Sequence, residues 1–256
     1  MRSLLSRLDA LIVGQHDPAR VGWLRDWTYA HRGLHSDGVP ENSLAAFALA
    51  AERGLGIECD IQRSRDGCAM LLHDWELDRL TAVSGPTAGH SAEELSQIAF
   101  LDSEHKIARL DDLLPILAGK VPILIEIKSK RGYDVKRSCR AVAHALEGYA
   151  GPHAVMSFDP RVCAWFADHS PQTVRGLVMR EDEHGMTQKA WQRHVALWAA
   201  RPEFIAYHVA ALPNPMVAGL KERGMPVLTW TVNSPETRAH AQLHADALIA
   251  EGEGLA

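Results

Sequence analysis

The chain has 256 residues, more than a small stapled module and enough for one large domain or two small ones. Hydrophobic residues at 46% and charged residues at 23% are the ordinary balance of a soluble globular protein. A formal net charge of -5 makes no electrostatic case for nucleic acid as a partner.

At the N-terminus, "MRSLLSRLDALIVGQ" places Leu4, Leu5, Leu8, Leu11 and Ile12 on one helical face. Its polar side is not rich in lysine or arginine, so a helix packed on the domain is expected over a membrane-surface helix. Arg7 and Asp9 interrupt any signal-peptide core, and no run is long enough to span a bilayer. Cys59, Cys68, Cys139 and Cys163 lack CxxC spacing. They read as reduced thiols of a cytoplasmic protein, not as a zinc site or disulfide framework.

The first strand is "TYAH" (28–31), followed by a helix over Ser43–Arg53 with Asn42 or Ser43 as N-cap and Gly54 as stop. Next come "GIECDIQ" (56–62) and "AMLLH" (69–73), then a helix over Leu110–Ala118 stopped by Gly119. "PILIEIK" (122–128), "HAVMSF" (153–158), "RGLVM" (175–179), "FIAYHV" (204–209), "PVLTWTV" (226–232) and "ALIA" (247–250) complete the strands. The helices between them are expected over Lys136–Leu146, Pro160–His169, Thr187–Ala200, Pro213–Arg223 and Ser234–Leu243. Trp191 and Trp198, at helical spacing, are expected in the core rather than at an interface.

One strand pair cannot be parallel. "ECDIQ" and "AMLLH" are separated by only a few residues, and a parallel crossover needs about a dozen. The connection carries Asp66-Gly67, a two-residue hairpin signal. Setting that arm aside leaves eight parallel strands alternating with helices. The expected fold is α/β, a TIM (β/α)8 barrel with an antiparallel hairpin and a small insertion after the second barrel strand. The whole of 1–256 then forms a single domain, with 1–26 as a helical extension and 75–110 as the insertion.

If Asp66 and Gly67 are the turn, Arg65 pairs with Cys68, Gln62 with Leu71 and Asp60 with His73. Opposed residues share a face, and Glu58 shares it too. His31 and Arg32 close the first strand, and Glu126 and Lys128 lie on one face of "ILIEIK". In a barrel, functional residues gather at the C-terminal strand ends. Glu58, Asp60 and Glu126 would form a three-carboxylate cluster that needs a cation, and hard oxygen ligands suit Mg2+ or Ca2+. His31 and His73 are placed to act as acid and base, and Arg32 and Lys128 to bind phosphate. The constellation suits phosphodiester cleavage.

These residues resemble a known family. "HRG", "PENSLAAF", "ECD", "DG…LLHD", "IEIK", "SF" and "TWTVN", in that order, look like glycerophosphodiester phosphodiesterases from about Ala30 to the last strand. The resemblance implies a TIM barrel and divalent-cation-dependent hydrolysis of glycerophosphodiesters to glycerol 3-phosphate and an alcohol. It implies His31 and His73 as the acid–base pair, Glu58, Asp60 and Glu126 as metal ligands, and Arg32 and Lys128 at the phosphate. It further implies that Glu41 and Asn42 support those ligands, and that Trp230 contacts the glycerol or head group; a core position is the rival expectation for Trp230. The sequence departs from the family pattern at Leu80, where a threonine is usual, at "ARL" (108–110) and at "LIAEGEG" (248–254). These departures bear on substrate-facing loops, not on the proposed ligands. The partner is a small-molecule glycerophosphodiester; a lysophospholipase D-type or related lipid phosphodiesterase is the alternative, and a catalytically silent binding barrel a third.

Overall fold

The computed structural model describes Asp9 and residues 17–256; the leucine face over 4–12 lies outside the described residues. Among the described residues nine strands form: β1 (Thr28–Ala30), β2 (Gly56–Arg63), β3 (Ala69–Leu71), β4 (Ile123–Ile127), β5 (His153–Ser157), β6 (Val174–Met179), β7 (Phe204–His208), β8 (Val227–Val232) and β9 (Ala247–Ala250). The helices between them include α1 (Leu44–Glu52), α2 (Leu110–Leu117), α3 (Val135–Ala145), α4 (Pro160–His169), α5 (Ala190–Ala200), α6 (Pro215–Lys221) and α7 (Pro235–His244). The architecture is a TIM (β/α)8 barrel of eight parallel strands, with β3 bonded antiparallel to β2 outside it. No helix among the described residues is long and apolar enough to cross a membrane.

Within residues 29–153, β2 is flanked by β1 and β4 in parallel and is buried along its whole length. Period-two alternation turns Ile57, Cys59 and Ile61 to one side and Glu58, Asp60 and Gln62 to the other. Asp60 is the direct register partner of Glu126 on β4. The strand that supplies apolar area to the core therefore also lines up the acids. Ser43 caps α1, its hydroxyl accepting from the Ala46 N–H at 3.1 Å, and α1 buries Ala46, Phe47 and Ala50. Helix α2 buries Leu110, Leu113, Leu114 and Leu117. Each fully buried leucine contributes about 1.5–3 kcal/mol relative to an exposed one.

The hairpin differs from the two-residue turn expected. Its register pairs Ile61 with Leu71, Gln62 with Met70 and Arg63 with Ala69. Ser64 then pairs with Cys68 through Ser64 N–H to Cys68 O at 3.1 Å, so three residues, Arg65, Asp66 and Gly67, form the loop. Gly67, at φ +100°, supplies the positive-φ corner such a loop requires. Asp66 is occupied elsewhere: its carboxylate accepts from Ser64 Oγ at 2.6 Å and from the Ala92 N–H at 2.9 Å. Asp60 therefore pairs with Leu72, whose N–H donates to Asp60 O at 3.1 Å, and not with His73. The strand ends at Leu71, and beyond it alternation no longer dictates where His73 points.

Residues 75–109 form no long element. A one-turn helix (Ala92–Leu95) and short bridges hold them, and Leu77, Ala92, Leu95, Phe100 and Ile107 pack on Met70 and Leu72 as a small separate core.

Residues 154–256, with 17–28, carry β5 to β9 as successive parallel pairs. Asp159, Asn214 and Ser234 cap α4, α6 and α7. Leu177, Met179, Leu197, Ile205, Val217, Leu220 and Val227 form their core. Of the two tryptophans expected there, Trp198 packs on that core and donates to Asp9 Oδ1 at 2.9 Å, but Trp191 is 57% exposed. The buried face of α5 runs through Arg193, His194, Leu197 and Ala200. Both tryptophans flank that face, and Asp9 covers only the second.

Candidate active site

Four chain segments of residues 29–153 build the site. The first is the turn after β1. Arg32 and Gly33 both take positive φ, +56° and +82°. A Cβ on Gly33 would come within 2.8 Å of the Ala46 carbonyl carbon, so backbone angle and space both demand glycine in "HRG". The turn aims the Arg32 N–H at Glu58 Oε2, 3.1 Å away. The Arg32 side chain donates from Nη1 to Glu41 Oε1 at 2.9 Å, and its Nε stands 3.0 Å from Asp60 Oδ2, an ion pair without hydrogen-bond alignment.

The second and third segments are β2 and β4. Glu58 and Asp60 are 1% exposed and Glu126 8%. Each offers an oxygen, and the three oxygens lie within 4.8 Å of one another. Lys128 reaches in, its Nζ 2.7 Å from both Asp60 Oδ1 and Glu126 Oε1. Burial alone would depress the Lys128 ammonium, but Asp60 and Glu126 outweigh it and hold its pKa above the usual lysine range. Burial likewise works against ionised Asp60, yet Lys128 and then Arg32 keep its carboxyl well below the usual carboxylate range. Glu58 is not neutralised in the same way. Burial, and then the charge of Asp60, push its carboxyl well above that range. A buried carboxylate short of positive charge, beside two others, fits a hard divalent cation, and Glu58, Asp60 and Glu126 are the residues that would hold it.

Asn42 braces this cluster. Its Nδ2 donates to Asp60 Oδ2 at 3.0 Å, and its Oδ1 accepts from the Asp60 N–H at 3.0 Å. At φ +56° it uses a left-handed conformation that asparagine tolerates better than most residues.

The fourth segment follows β3. Despite the shifted register, His73 lies close enough to Lys128, Asp60 and Arg32 for their charges to act on its ring. Gln62, on the acidic side of β2, donates from Nε2 to His73 O at 3.0 Å and fixes the backbone there. Burial, with Lys128 adding to it, holds the His73 pKa below the usual histidine range; Asp60 pulls the other way. The ring's Nδ1 lies 2.6 Å from Asp74 Oδ1. Asp74 in turn accepts from Arg79, which also bonds Glu41. Asp74 and Arg79 carry no role in the sequence reading. Asp74 closes the "LLHD" motif and Arg79 stands in "DRLTA", but neither pattern says what its side chain bonds.

His31 sits half-buried on the turn that carries Arg32. Trp230, on β8, has its own set of partners. Its indole N–H donates to Ala206 O at 3.2 Å, and its ring stands edge-on to Phe158 at 5.3 Å and 4.9 Å from His208.

The model of the glycerophosphoryl diester phosphodiesterase family matches residues 31–251. The chain is 37% identical over 255 residues to "Probable glycerophosphodiester phosphodiesterase 2" of Mycobacterium tuberculosis, covering 88% of this chain and 91% of that protein. It is 29% identical over 223 residues to the glycerophosphodiester phosphodiesterase of Caldanaerobacter subterraneus subsp. tengcongensis, with 81% and 86% covered. Among solved structures it is similar to an Oleispira antarctica phosphodiesterase in complex with the product sn-glycerol-3-phosphate. That likeness has a TM-score of 0.75 at 24% identity, over 88% of this chain and 92% of that one. The glycerophosphodiester phosphodiesterase of Thermotoga maritima gives 0.71 at 23%, over 87% and 93%. At these identities the structural likeness speaks to the fold.

Proposed function

This chain belongs to the glycerophosphoryl diester phosphodiesterase family, and from that membership we propose that it hydrolyses glycerophosphodiesters to glycerol 3-phosphate and an alcohol, using a divalent cation and two histidines. The observation that carries the mechanism is the cluster of three buried carboxylates within 4.8 Å, with Lys128 and Arg32 bonded into it and His73 beside it.

A bound Mg2+ or Ca2+ would supply Lewis-acid polarisation of a phosphoryl oxygen. Arg32 and Lys128 bind the remaining phosphoryl oxygens and offset the charge that grows on them. Asp74 is a carboxylate held ionised: burial would raise its pKa, but hydrogen bonds from Arg79 and His73 hold it below the usual range. It can only accept, so His73 Nδ1 carries the proton and Nε2 has a free lone pair. A ring that is neutral near pH 7, with Nε2 free, is a general base. His73 takes the proton of the nucleophile as its oxygen bonds to phosphorus. His31 gives a proton to the departing alkoxide as the old P–O bond breaks. The nucleophile is water or the glycerol 2-hydroxyl, and a diester lacking that hydroxyl tells the two apart. Most of the apolar residues of 75–109, among them Leu77, Leu95, Phe100 and Ile107, are packed into their own core, which favours a water-soluble diester over an acyl-bearing lipid.

The test is a phosphodiesterase assay across head groups, with and without EDTA. Hydrolysis should vanish with EDTA and return with Mg2+ or Ca2+. His31→Ala and His73→Ala should each lower kcat by about 10²–10⁴-fold with unchanged thermal melting. Near-normal turnover by both variants would sink the two-histidine assignment, and no hydrolysis of any glycerophosphodiester by the unaltered enzyme would sink the substrate class.

A further inference from the structure

A chain of ion pairs joins the two arms of the site through a residue outside it. Arg32 Nη1 donates to Glu41 Oε1 at 2.9 Å. Arg79 donates to both oxygens of Glu41, Nη1 to Oε2 at 3.1 Å and Nη2 to Oε1 at 2.7 Å. The same guanidinium donates to both oxygens of Asp74, from Nη2 to Oδ1 at 3.1 Å and from Nε to Oδ2. Asp74 Oδ1 then meets His73 Nδ1 at 2.6 Å. Arg79 thus uses all three nitrogens on two carboxylates, one holding a phosphate-binding arginine and the other an acid–base histidine.

We propose that Arg79 is a positioning residue: by bridging Glu41 and Asp74 it sets Arg32 and the His73 ring in fixed relation, one arm after β1 and the other after β3. The inference rests on the roles proposed above for those two residues. Its side chain is 48% exposed, so its ion pairs add little to the stability of the fold. What they supply is geometry. A planar fork engages both oxygens of each of two carboxylates in a fixed orientation, whereas the ammonium of lysine can meet two carboxylates only as a point donor. The bridge also shares the charge of Asp74. Without Arg79, that carboxylate acts on His73 undivided and favours the imidazolium. The other charged groups that act on the His73 ring are Lys128, Asp60, Arg32 and Glu41; the first three keep their places when Arg79 changes, and Glu41, freed of the same guanidinium, adds to the pull of Asp74 toward the imidazolium.

The experiment compares the full chain with Arg79→Met, Arg79→Lys and, as a control on the same loop, Asp78→Asn. Asp78 caps the Gly85 N–H and touches none of the chain of ion pairs. For Arg79→Met, thermal melting near pH 7 should stay close to that of the unaltered protein while kcat/KM falls about 10²-fold, the scale of a small misplacement of reacting groups. The limb of the pH–rate profile governed by His73 should move to higher pH by roughly half a unit or more. Arg79→Lys should restore the limb but only part of the rate, and Asp78→Asn should change neither. Histidine ring NMR of the same proteins reads the His73 titration without substrate and should show the same upward move. A rate loss with an unmoved limb and an unmoved titration would reduce Arg79 to a structural role and overturn the proposal, as would full activity in Arg79→Met. If the unaltered enzyme hydrolyses no glycerophosphodiester, the functional reading fails, while the NMR titration still decides whether Arg79 acts on His73.

Discussion

Asn42 shows what one buried amide does at the residue scale. It satisfies both the N–H and one carboxylate oxygen of Asp60, so Asn42→Ala leaves a buried donor without a partner. The expected cost is about 1–3 kcal/mol of stability. Cation affinity should fall about tenfold or more, as when a group that orients a ligand is lost. Denaturant titration and calorimetric titration with Mg2+ measure the two, and an unchanged affinity would remove Asn42 from the metal site. Glu41 and Asp74 carry a pH signature. Burial opposes their ionisation, but Arg79 and its neighbours hold both carboxyls below the usual range. A depressed carboxyl contributes stability that is present above its unfolded value, near about 4, and lost as pH falls through the folded value. Arg79→Met removes the depressing partner, so the small deficit in its melting temperature near pH 7 should close as the pH falls from about 5 to about 3. Parallel melting curves across that range would contradict the network. The acids and histidines were legible as residues out of place, carboxylates inside apolar strands and imidazoles closing apolar runs. Arg79 was not, because an arginine in a loop looks the same whether it faces water or two carboxylates.

At the scale of elements, the hairpin is the instructive case. A turn at Asp66-Gly67 was visible in the chain, and so was the antiparallel arm it makes. The count of loop residues was not, because Ser64 and Asp66 bond each other and Ala92, and these contacts select the three-residue loop. One residue of register is enough to replace His73 by Leu72 opposite Asp60. His73 still reaches the site because β3 ends two residues earlier and Gln62 bonds its carbonyl. Gly67 carries the corner at φ +100°, and an added Cβ would also come 3.3 Å from Arg137 Nε. Gly67→Ala should therefore cost roughly 1–3 kcal/mol, read as a lower denaturant midpoint at constant slope. An unchanged midpoint would mean the loop adapts without strain.

For the molecule as a whole, three buried carboxylates share one cluster, with Lys128 and Arg32 the cations bonded into it among the described residues. Any cation that binds the folded chain and not the unfolded one stabilises by mass action, about 2.7 kcal/mol at a hundredfold excess over Kd. Saturating Mg2+ or Ca2+ should raise the melting temperature, EDTA should reverse the rise, and Glu58→Gln should blunt it. A melting temperature indifferent to both ions would tell against the cation site. The sequence by itself determined the order of strands and helices, the antiparallel arm, and the alternation that puts Glu58 and Asp60 on one side of β2. Those are local properties, written in periods of two and 3.6 residues and in turn chemistry between near neighbours. Only the tertiary structure decided that Glu126 is the register partner of Asp60, that Lys128 lies between those two acids, and that Arg79 links Glu41 to Asp74. Each is a distance between residues far apart in the chain, set by which strands pair and how the loops pack, and no local pattern encodes it.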